Sequence, residues 1–87
     1  MGISYDPEKN TRNIVSRGLS FDSAVDFAWS TALVVEDTRR VYAERRFQPL
    51  GYIGERLHML VFTPREELVH IISLRKAHRR EVQRYEA

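Results

Sequence analysis

A carboxylate and an arginine stand two residues apart at Glu44 and Arg46. Side chains two residues apart on an extended strand leave the same face, so this pair would share one side of a sheet while Arg45 and Phe47 point to the other. A carboxylate beside a cation can transfer a proton while the cation stabilises negative charge. The plainer interpretation is a surface ion pair, which contributes little to stability.

Cations also cluster where the last apolar strand meets the last helix. The segment "LVHIISL" is followed by Arg75 and Lys76, and Arg79 and Arg80 come soon after. A second basic cluster in the middle of the chain consists of Arg39, Arg40, Arg45 and Arg46. Because a planar guanidinium can pair with two phosphate oxygens at once, these clusters favour phosphate or nucleic-acid binding. The alternative is that basic residues only solvate the last helix and complement its dipole.

The three histidines, His58, His70 and His78, do not have the spacing of metal ligands. His70 stands on a strand otherwise filled with Val and Ile, where a half-buried, hydrogen-bonded histidine is a plainer interpretation than a catalytic one. The sequence has no cysteine, no Gly-rich phosphate loop and no HExxH motif, which excludes thiolate chemistry, nucleoside-triphosphate sites and zinc-enzyme motifs. We therefore expect neither a metal nor a cofactor.

With 87 residues, 43% of them hydrophobic, and a formal net charge of +2, the chain is expected to form one domain over residues 1–87. No apolar run approaches the length of a membrane span, and the N-terminal segment lacks the pattern of a signal peptide. These observations predict a cytoplasmic protein without a membrane partner.

Two helices are predicted before any sheet. In the first, over residues 7–17, Asp6 caps the start, Pro7 suits the first position and Gly18 ends the helix. Ser20 caps the second, whose apolar residues at helical spacing are Phe21, Ala24, Val25 and Ala28.

Four strands and a final helix follow. The apolar segments 32–37, 45–53, 57–62 and 68–74 are expected to be strands, with a basic loop over 37–44, turns at 54–56 and 63–67, and a helix from residue 75. Pro49 predicts an edge position or a bulge within its strand. Connections this short favour antiparallel neighbours, so we predict an α+β fold of order ααββββα with a four-stranded antiparallel sheet.

Four segments, in order and at matching spacing, resemble the BrnT family of small bacterial toxins, which are ribonucleases of type II toxin–antitoxin pairs. "YDPEKNTRNIVSRGLSF" is similar to the opening helix of the family, and "GYIGERLHMLVFT" to its Gly-led hairpin. "ALVVEDTRRVYAERRF" resembles the strand and loop that carry an Asp and a Glu-x-Arg, matched here by Asp37, Glu44 and Arg46. "IISLRKAHRREVQRYE" resembles the most specific stretch, Ile-Ile-Ser-x-Arg-x-Ala followed by Glu and Tyr.

The resemblance implies a RelE-like fold, a twisted antiparallel sheet with helices packed on one face, and metal-independent cleavage of RNA. Glu44 would act as base or acid, Arg46 and Arg75 would hold the phosphate, and His70 would be a further catalytic candidate. The expected RNA- or phosphate-binding residues are Lys76, Arg79, Arg80, Arg45 and Arg39. A BrnA-like ribbon-helix-helix antitoxin would be the partner, with operator DNA bound only through it.

Two departures from the family pattern leave alternatives open. Ser16-Arg17 stands where the family usually has Lys-His, and His70 stands where it usually has an arginine. Either His70 takes over as a titrating acid or base, or catalysis is reduced. The alternatives to an active ribonuclease are a catalytically weakened module that binds an antitoxin or repressor, and a small nucleic-acid-binding domain.

Overall fold

The computed structural model of the protein describes residues 2–87. Its elements are β1 (Ile3–Tyr5), α1 (Pro7–Arg17), two 3₁₀ helices (Phe21–Asp26 and Trp29–Thr31), β2 (Glu36–Asp37), β3 (Arg46–Phe47), β4 (Leu50–Ile53), β5 (Arg56–Arg65), β6 (Leu68–Lys76) and α2 (Arg79–Glu86). The fold is α+β, as predicted, but the order ααββββα is wrong because a strand precedes α1 and the second helix is a 3₁₀ helix.

Over the described residues the sheet has six strands, in the order β1-β6-β5-β3-β2, with β4 also paired to β5. The pair β1–β6 is parallel and the other pairs are antiparallel. The predicted four-stranded antiparallel sheet is therefore wrong in strand number and in the direction of β1. β1 was missed because three residues are too few to show the alternation of apolar and polar residues that indicates a strand. It is a strand because its backbone pairs with residues 69–71 of β6.

The local signals at the two ends of α1 are confirmed. The Asp6 carboxylate accepts the Glu8 backbone N–H at 2.9 Å. Gly18 has φ +69°, in the left-handed region that glycine enters without strain, and its N–H donates to the Ile14 carbonyl at 2.8 Å. α1 therefore has the bounds that its sequence predicts.

A buried amide attaches α1 to β6. The Asn13 side chain donates to the carbonyls of Leu19 and Leu74, each at 2.9 Å. These two hydrogen bonds offset the cost of burying the amide. The bond to Leu74 also holds α1 beside β6.

Pro49 interrupts its predicted strand, but the edge position or bulge expected there is wrong, because β3 lies between β2 and β5 and the register with β5 is the same on both sides of Pro49. The structure has two short strands there, β3 and β4, which both pair with β5. The predicted strand over 32–37 is shorter than expected, because only Glu36–Asp37 forms a ladder and Leu33 adds an isolated bridge to Leu50.

The last strand runs further than predicted. β6 continues through Arg75 and Lys76 because these residues pair with Met59 and His58 of β5. One extra residue of β6, Ile72, lies opposite the step from Val61 to Phe62 and forms a β-bulge.

The sheet has two different faces. On the core face, the buried side chains are Phe21, Ala24, Phe27, Leu60, Val69, Ile71 and Leu74. The opposite face, here called the polar face, carries Met59 and Arg75 at one end and Thr63 and His70 at the other.

α2 packs on the polar face, where Val82 and Tyr85 contact the apolar group of Leu50, Leu57 and Met59. The expected arrangement with all helices on one face is therefore wrong, because that end of the polar face is itself apolar and needs cover. No helix in residues 2–87 has the length and apolarity needed to cross a membrane.

Candidate active site

A row of polar side chains crosses the uncovered end of the polar face, perpendicular to the strands. It consists of Ser4, His70, Thr63, Arg46 and Asp37, one residue from each of five strands. Adjacent strands lie about 4.8 Å apart, so the Cα atoms of His70 and Arg46 are roughly 10 Å apart. The two side chains are therefore close enough to contact one small group that lies over Thr63.

Arg65 joins two of the predicted site residues. Its guanidinium donates to both carboxylate oxygens of Glu44, from Nη2 to Oε1 at 2.6 Å and from Nε to Oε2 at 3.2 Å. Its Nη1 lies 3.3 Å from Nε2 of His70. Glu44, Arg65 and His70 thus form one contiguous cluster beside the polar row.

The partners of His70 define its protonation. A guanidinium only donates, so Nε2 of His70 accepts from Arg65. The proton of the neutral ring is then on Nδ1 and is donated to Oγ of Ser4 at 2.9 Å. Burial, and then the charge of Arg65, lower the pKa of His70, which is consistent with a neutral imidazole in the free protein.

Glu44 is held in its ionised form. The hydrogen bonds from Arg65 lower the pKa of the Glu44 carboxyl, and the charges of His70 and Arg46 act in the same direction. A carboxylate that stays ionised at neutral pH can accept a proton but has none to donate.

Asp37 organises the loop that carries Glu44. Its carboxylate, of which 3% is exposed, accepts from the backbone N–H and guanidinium of Arg39, from the Tyr42 hydroxyl at 2.9 Å and from Nε2 of Gln48 at 3.2 Å. The hydrogen bonds from Arg39 hold the pKa of Asp37 far below its usual range. Asp37 is thus a fixed acceptor rather than a proton-transfer group.

The same loop positions Arg46. Its guanidinium carbon lies 4.2 Å from the centre of the Tyr42 ring, a cation–π contact that orients the arginine. Because Tyr42 also donates to Asp37, one hydrogen-bonded unit fixes Arg46.

Glu44, Arg46 and His70 are brought together, but Arg75 is not. Arg75 pairs with Met59, which is four residues from Thr63 on β5, so it lies about 14 Å along the sheet from the polar row. Its guanidinium donates to both oxygens of Glu81 at 2.7 and 2.8 Å. That pair lowers the pKa of Glu81 to about 2 and anchors α2 to the sheet.

The expected binding cations are divided among three places. Arg39, Arg75 and Arg80, with Arg84, line a groove of about 470 Å³ between α2 and the loop after β2. Lys76 lines a separate cleft, and Arg79 is exposed on α2 outside that groove.

Arg45 belongs to the opposite face. Its guanidinium pairs with Glu36 at 2.8 Å and lies 5.2 Å from the centre of the Phe47 ring. The alternation that places Arg45 and Phe47 away from Arg46 is as predicted, and it removes Arg45 from the polar row.

Sequence reasoning missed Arg65, along with Ser4 and Tyr42, which orient His70 and Arg46. The segment 63–67 was expected to be a turn, whereas β5 continues through Pro64 to Arg65 and the chain reverses at Glu66 and Glu67. These two residues have φ values of +53° and +65°, as a two-residue hairpin requires, although neither is glycine. The usable signal was the period of two that relates Arg65 to Thr63.

The other two histidines lie outside the cluster. His58 is buried and its Nδ1 lies 2.8 Å from the Arg56 carbonyl, while His78 caps the start of α2. Within residues 2–87, no three His, Asp or Glu side chains are grouped so that they could hold a metal ion.

The comparisons with known proteins agree with this fold. A family model described as the ribonuclease toxin BrnT of a type II toxin–antitoxin system matches residues 5–81. The 1.1 Å crystal structure of the Brucella abortus ribonuclease toxin BrnT is similar over 91% of this chain and 99% of that chain, with 26% identity and a TM-score of 0.69. None of the curated proteins compared with the chain matches it. Because the family model covers most of the sequence, the chain belongs to the BrnT family of ribonuclease toxins of type II toxin–antitoxin systems.

Proposed function

We propose that the protein is an endoribonuclease toxin that cleaves RNA without a metal ion, by attack of a 2′-hydroxyl on the adjacent phosphate. Membership of the family implies an RNA substrate and an antitoxin partner. The observation that carries the mechanism is the direct contact of Glu44, Arg65 and His70 beside Arg46. RNA fits this set of groups because it supplies its own nucleophile.

Arg46 and Arg65 hold the reacting phosphate. Both guanidinium groups lie on the polar face, and both can offer paired donors to the oxygens of a pentavalent phosphate. Charge that develops on those oxygens in the transition state is stabilised by donors already in place.

Glu44 acts as the base. The bound phosphate competes for the Arg65 guanidinium, which frees one carboxylate oxygen to take the proton of the 2′-hydroxyl. The 2′-oxygen then forms a bond to phosphorus and the bond from phosphorus to the 5′-oxygen breaks. The products are a 2′,3′-cyclic phosphate and a 5′-hydroxyl.

His70 acts as the acid. The negative charge of the bound phosphate favours the protonated ring, opposing the effect of Arg65 in the free protein. Nε2 then donates its proton to the leaving 5′-oxygen while Ser4 keeps the ring oriented through Nδ1. Arg39, Arg75 and Arg80 bind the RNA backbone along the groove beside α2 instead of taking part in the reaction.

The test is cleavage of RNA by purified protein in EDTA. Glu44→Gln and Arg46→Ala should lose cleavage about 10²-fold or more without a change in Tm, while the exposed control Arg56→Ala should cleave as the wild type does. End-group analysis should find cyclic phosphates. Loss of activity in EDTA would show a metal-dependent reaction, and full activity of both site variants would remove them from the mechanism.

A second candidate function is a binding module with weakened catalysis. It is favoured by one observation: both oxygens of Glu44 are occupied by Arg65 in the free protein. The sequence also favours weakened catalysis, because His70 stands where the family usually has an arginine. If expression arrests growth only after His70→Arg, the natural protein is the binding module; arrest by the natural protein supports the toxin.

The antitoxin is proposed to be a BrnA-like ribbon-helix-helix protein that hides the polar face, with operator DNA bound through the antitoxin. A short neighbouring reading frame for a small DNA-binding protein would support this identity. Its purified product should block cleavage when the two proteins are mixed; a product that binds without blocking would contradict it.

A further inference from the structure

A cleft outside the active site runs between α1 and the edge of β6. It has a volume of about 320 Å³, and its lining includes Lys9, Arg12, Ser16, Arg17 and Ser73. A second cleft of about 420 Å³ shares Arg17 with it and includes Lys76. The two clefts meet at Arg17 and are together called the α1 cleft here. They lie beside the part of β6 that β1, which pairs only with residues 69–71, leaves uncovered.

The α1 cleft is positively charged, and of its Lys and Arg side chains only Arg75 has an acidic partner, Glu81. No Asp or Glu lines either part of it. Among the ion pairs of residues 2–87, none involves Lys9, Arg12, Arg17 or Lys76. A concave surface lined by cations without partners attracts an anion.

The cations on α1 follow the helix period. Lys9, Arg12, Ser16 and Arg17 stand at positions i, i+3, i+7 and i+8, which share one face. At 1.5 Å per residue, this polar stripe extends about 12 Å along the helix. Arg17 donates to Oδ1 of Asn13 and to Oγ of Ser73, each at 3.1 Å, so its guanidinium is held in place without a carboxylate. The ligand that fits is an extended polyanion rather than a single ion.

Both ends of the α1 cleft reach surfaces of the proposed mechanism. Ile72 and Ser73 line one end of the cleft and follow His70 and Ile71 on β6, which places this end near the reacting groups. At the other end, Arg75 lines both the α1 cleft and the groove beside α2. A nucleic-acid strand that leaves the polar row at His70 can therefore continue along α1.

From these observations we propose that the α1 cleft is a second binding track for the backbone of single-stranded RNA, with Lys9, Arg12, Arg17 and Lys76 contacting successive phosphates. This track binds the part of the substrate beyond the cleaved bond, so the inference rests on the proposed ribonuclease function. Its residues are positioning residues, since none reaches the reacting groups.

RNA fits better than an acidic protein segment. Protein interfaces carry a buried apolar or aromatic centre surrounded by polar residues. Three apolar residues line the α1 cleft: Phe21 is 1% exposed and lies in the core, Leu19 packs against the core, and Ile72 is partly buried. Cations and hydroxyls remain, as a sequence-independent backbone contact requires.

The experiment compares Arg12→Gln/Lys76→Gln, one cation from each part of the α1 cleft, with the control Arg56→Gln, an exposed cation outside it. The probe is a fluorescent RNA with 2′-O-methyl groups, which binds but cannot be cleaved. For single strands the slope of log K against log salt is about −0.7 per phosphate contacted, so the test variant should lose about 1.4 units of slope. The control should keep the wild-type slope, and both variants should keep the wild-type Tm.

Cleavage provides the second measurement. The test variant should raise KM for a long RNA while kcat stays unchanged, and it should cleave a dinucleotide as the wild type does. If the wild type cleaves RNA and the test variant keeps the wild-type salt slope, the proposed role of the α1 cleft is wrong and the proposed function still stands. A wild type that neither binds nor cleaves RNA would overturn both. Lost antitoxin binding with unchanged RNA binding would assign the α1 cleft to the antitoxin and overturn the proposal.

Discussion

Arg65 donates to both oxygens of Glu44, at 2.6 and 3.2 Å, although 21 residues separate them in the sequence. The pair ties the loop after β2 to the end of β5, so a residue of a neighbouring strand sets the position of the proposed base. It also couples two steps of the proposed reaction, because a phosphate that binds Arg65 releases Glu44.

Arg65→Ala should reduce kcat/KM for RNA by about 10²–10³-fold, the usual effect of removing one donor that stabilises transition-state charge. Arg65→Lys should fall between the wild type and the alanine variant, because it keeps the charge and loses the paired donors. Steady-state cleavage of a fluorogenic RNA measures both. The control is Arg56→Ala, at the other end of β5. Equal rates for wild type and Arg65→Ala would exclude Arg65 from the site.

The pH dependence of kcat/KM should be bell-shaped, with its maximum on the acid side of neutral. With increasing pH, activity first rises as Glu44 loses its proton. This rise occurs at a pH below the ordinary pKa of glutamate, because Arg65 lowers the pKa of Glu44. Activity falls as free His70 loses its proton, and burial lowers the pKa of His70 below about 6.5. His70→Asn should abolish the falling limb along with most of the activity. A falling limb that survives in this variant would belong to another group.

Asp37→Asn should loosen the loop after β2 without changing the core. The substitution keeps the shape of the side chain and removes the charge that Arg39 and Tyr42 bind. Amide hydrogen exchange should quicken in residues 38–45 and stay slow in β5 and β6. Because Arg46 and Glu44 then lose their fixed positions, kcat/KM should fall about 10–100-fold. Unchanged exchange in the loop would show that Asp37 does not order it.

Glu81→Gln should remove a pH-dependent part of the stability. The pKa of Glu81 is about 2 in the folded chain, mainly because of Arg75, and near 4.5 when unfolded. A carboxyl whose pKa is lowered by folding stabilises the folded chain fully at any pH above its pKa in the unfolded chain. This stabilisation is lost as the pH falls to the pKa of the same group in the folded chain. We expect a contribution of about 3 kcal/mol above pH 5 that is largely lost near pH 2. Gln can keep the capping interaction with His78, so the variant isolates the charge.

Urea unfolding of the wild type and Glu81→Gln across this pH range provides the measurement. The difference between their unfolding free energies should shrink as the pH is lowered from 5 to 2. A difference that stays constant over that range would assign the effect of the substitution to packing instead of the ion pair with Arg75.

The parts of the fold that local chemistry determines could be predicted from the sequence. Asp6 and Gly18 give α1 both of its ends, whereas Pro49 indicated an irregularity in its strand without indicating that the strand would divide into β3 and β4. β1 and the last residues of β6 could not be predicted, because their conformation depends on strands far away in the sequence. The spacing of apolar residues indicates the conformation of its own segment, but it does not show which distant strand that segment will pair with.

The candidate site shows the same limit. Glu44 and Arg46 could be recognised as a pair from their spacing, and His70 from its departure from the family pattern. The contact of Arg65 with both Glu44 and His70 depends on a hairpin turn made by two glutamates, residues that seldom adopt positive φ. Arg75 was expected at the same site, but the register of β6 with β5 places it at the groove beside α2, where it pairs with Glu81.

The bulge at Ile72 determines which residues of β6 can cooperate. His70 and Arg75 are five apart, an odd separation that would send them to opposite sides of a regular strand. The additional residue resets the alternation, so both reach the same side while Ile71 and Leu74 remain in the core. Chain length between positions 70 and 75 should consequently be under stricter selection than the identity of the residues there: losing or gaining a single amino acid would disconnect the reaction centre from its groove even if every side chain were retained.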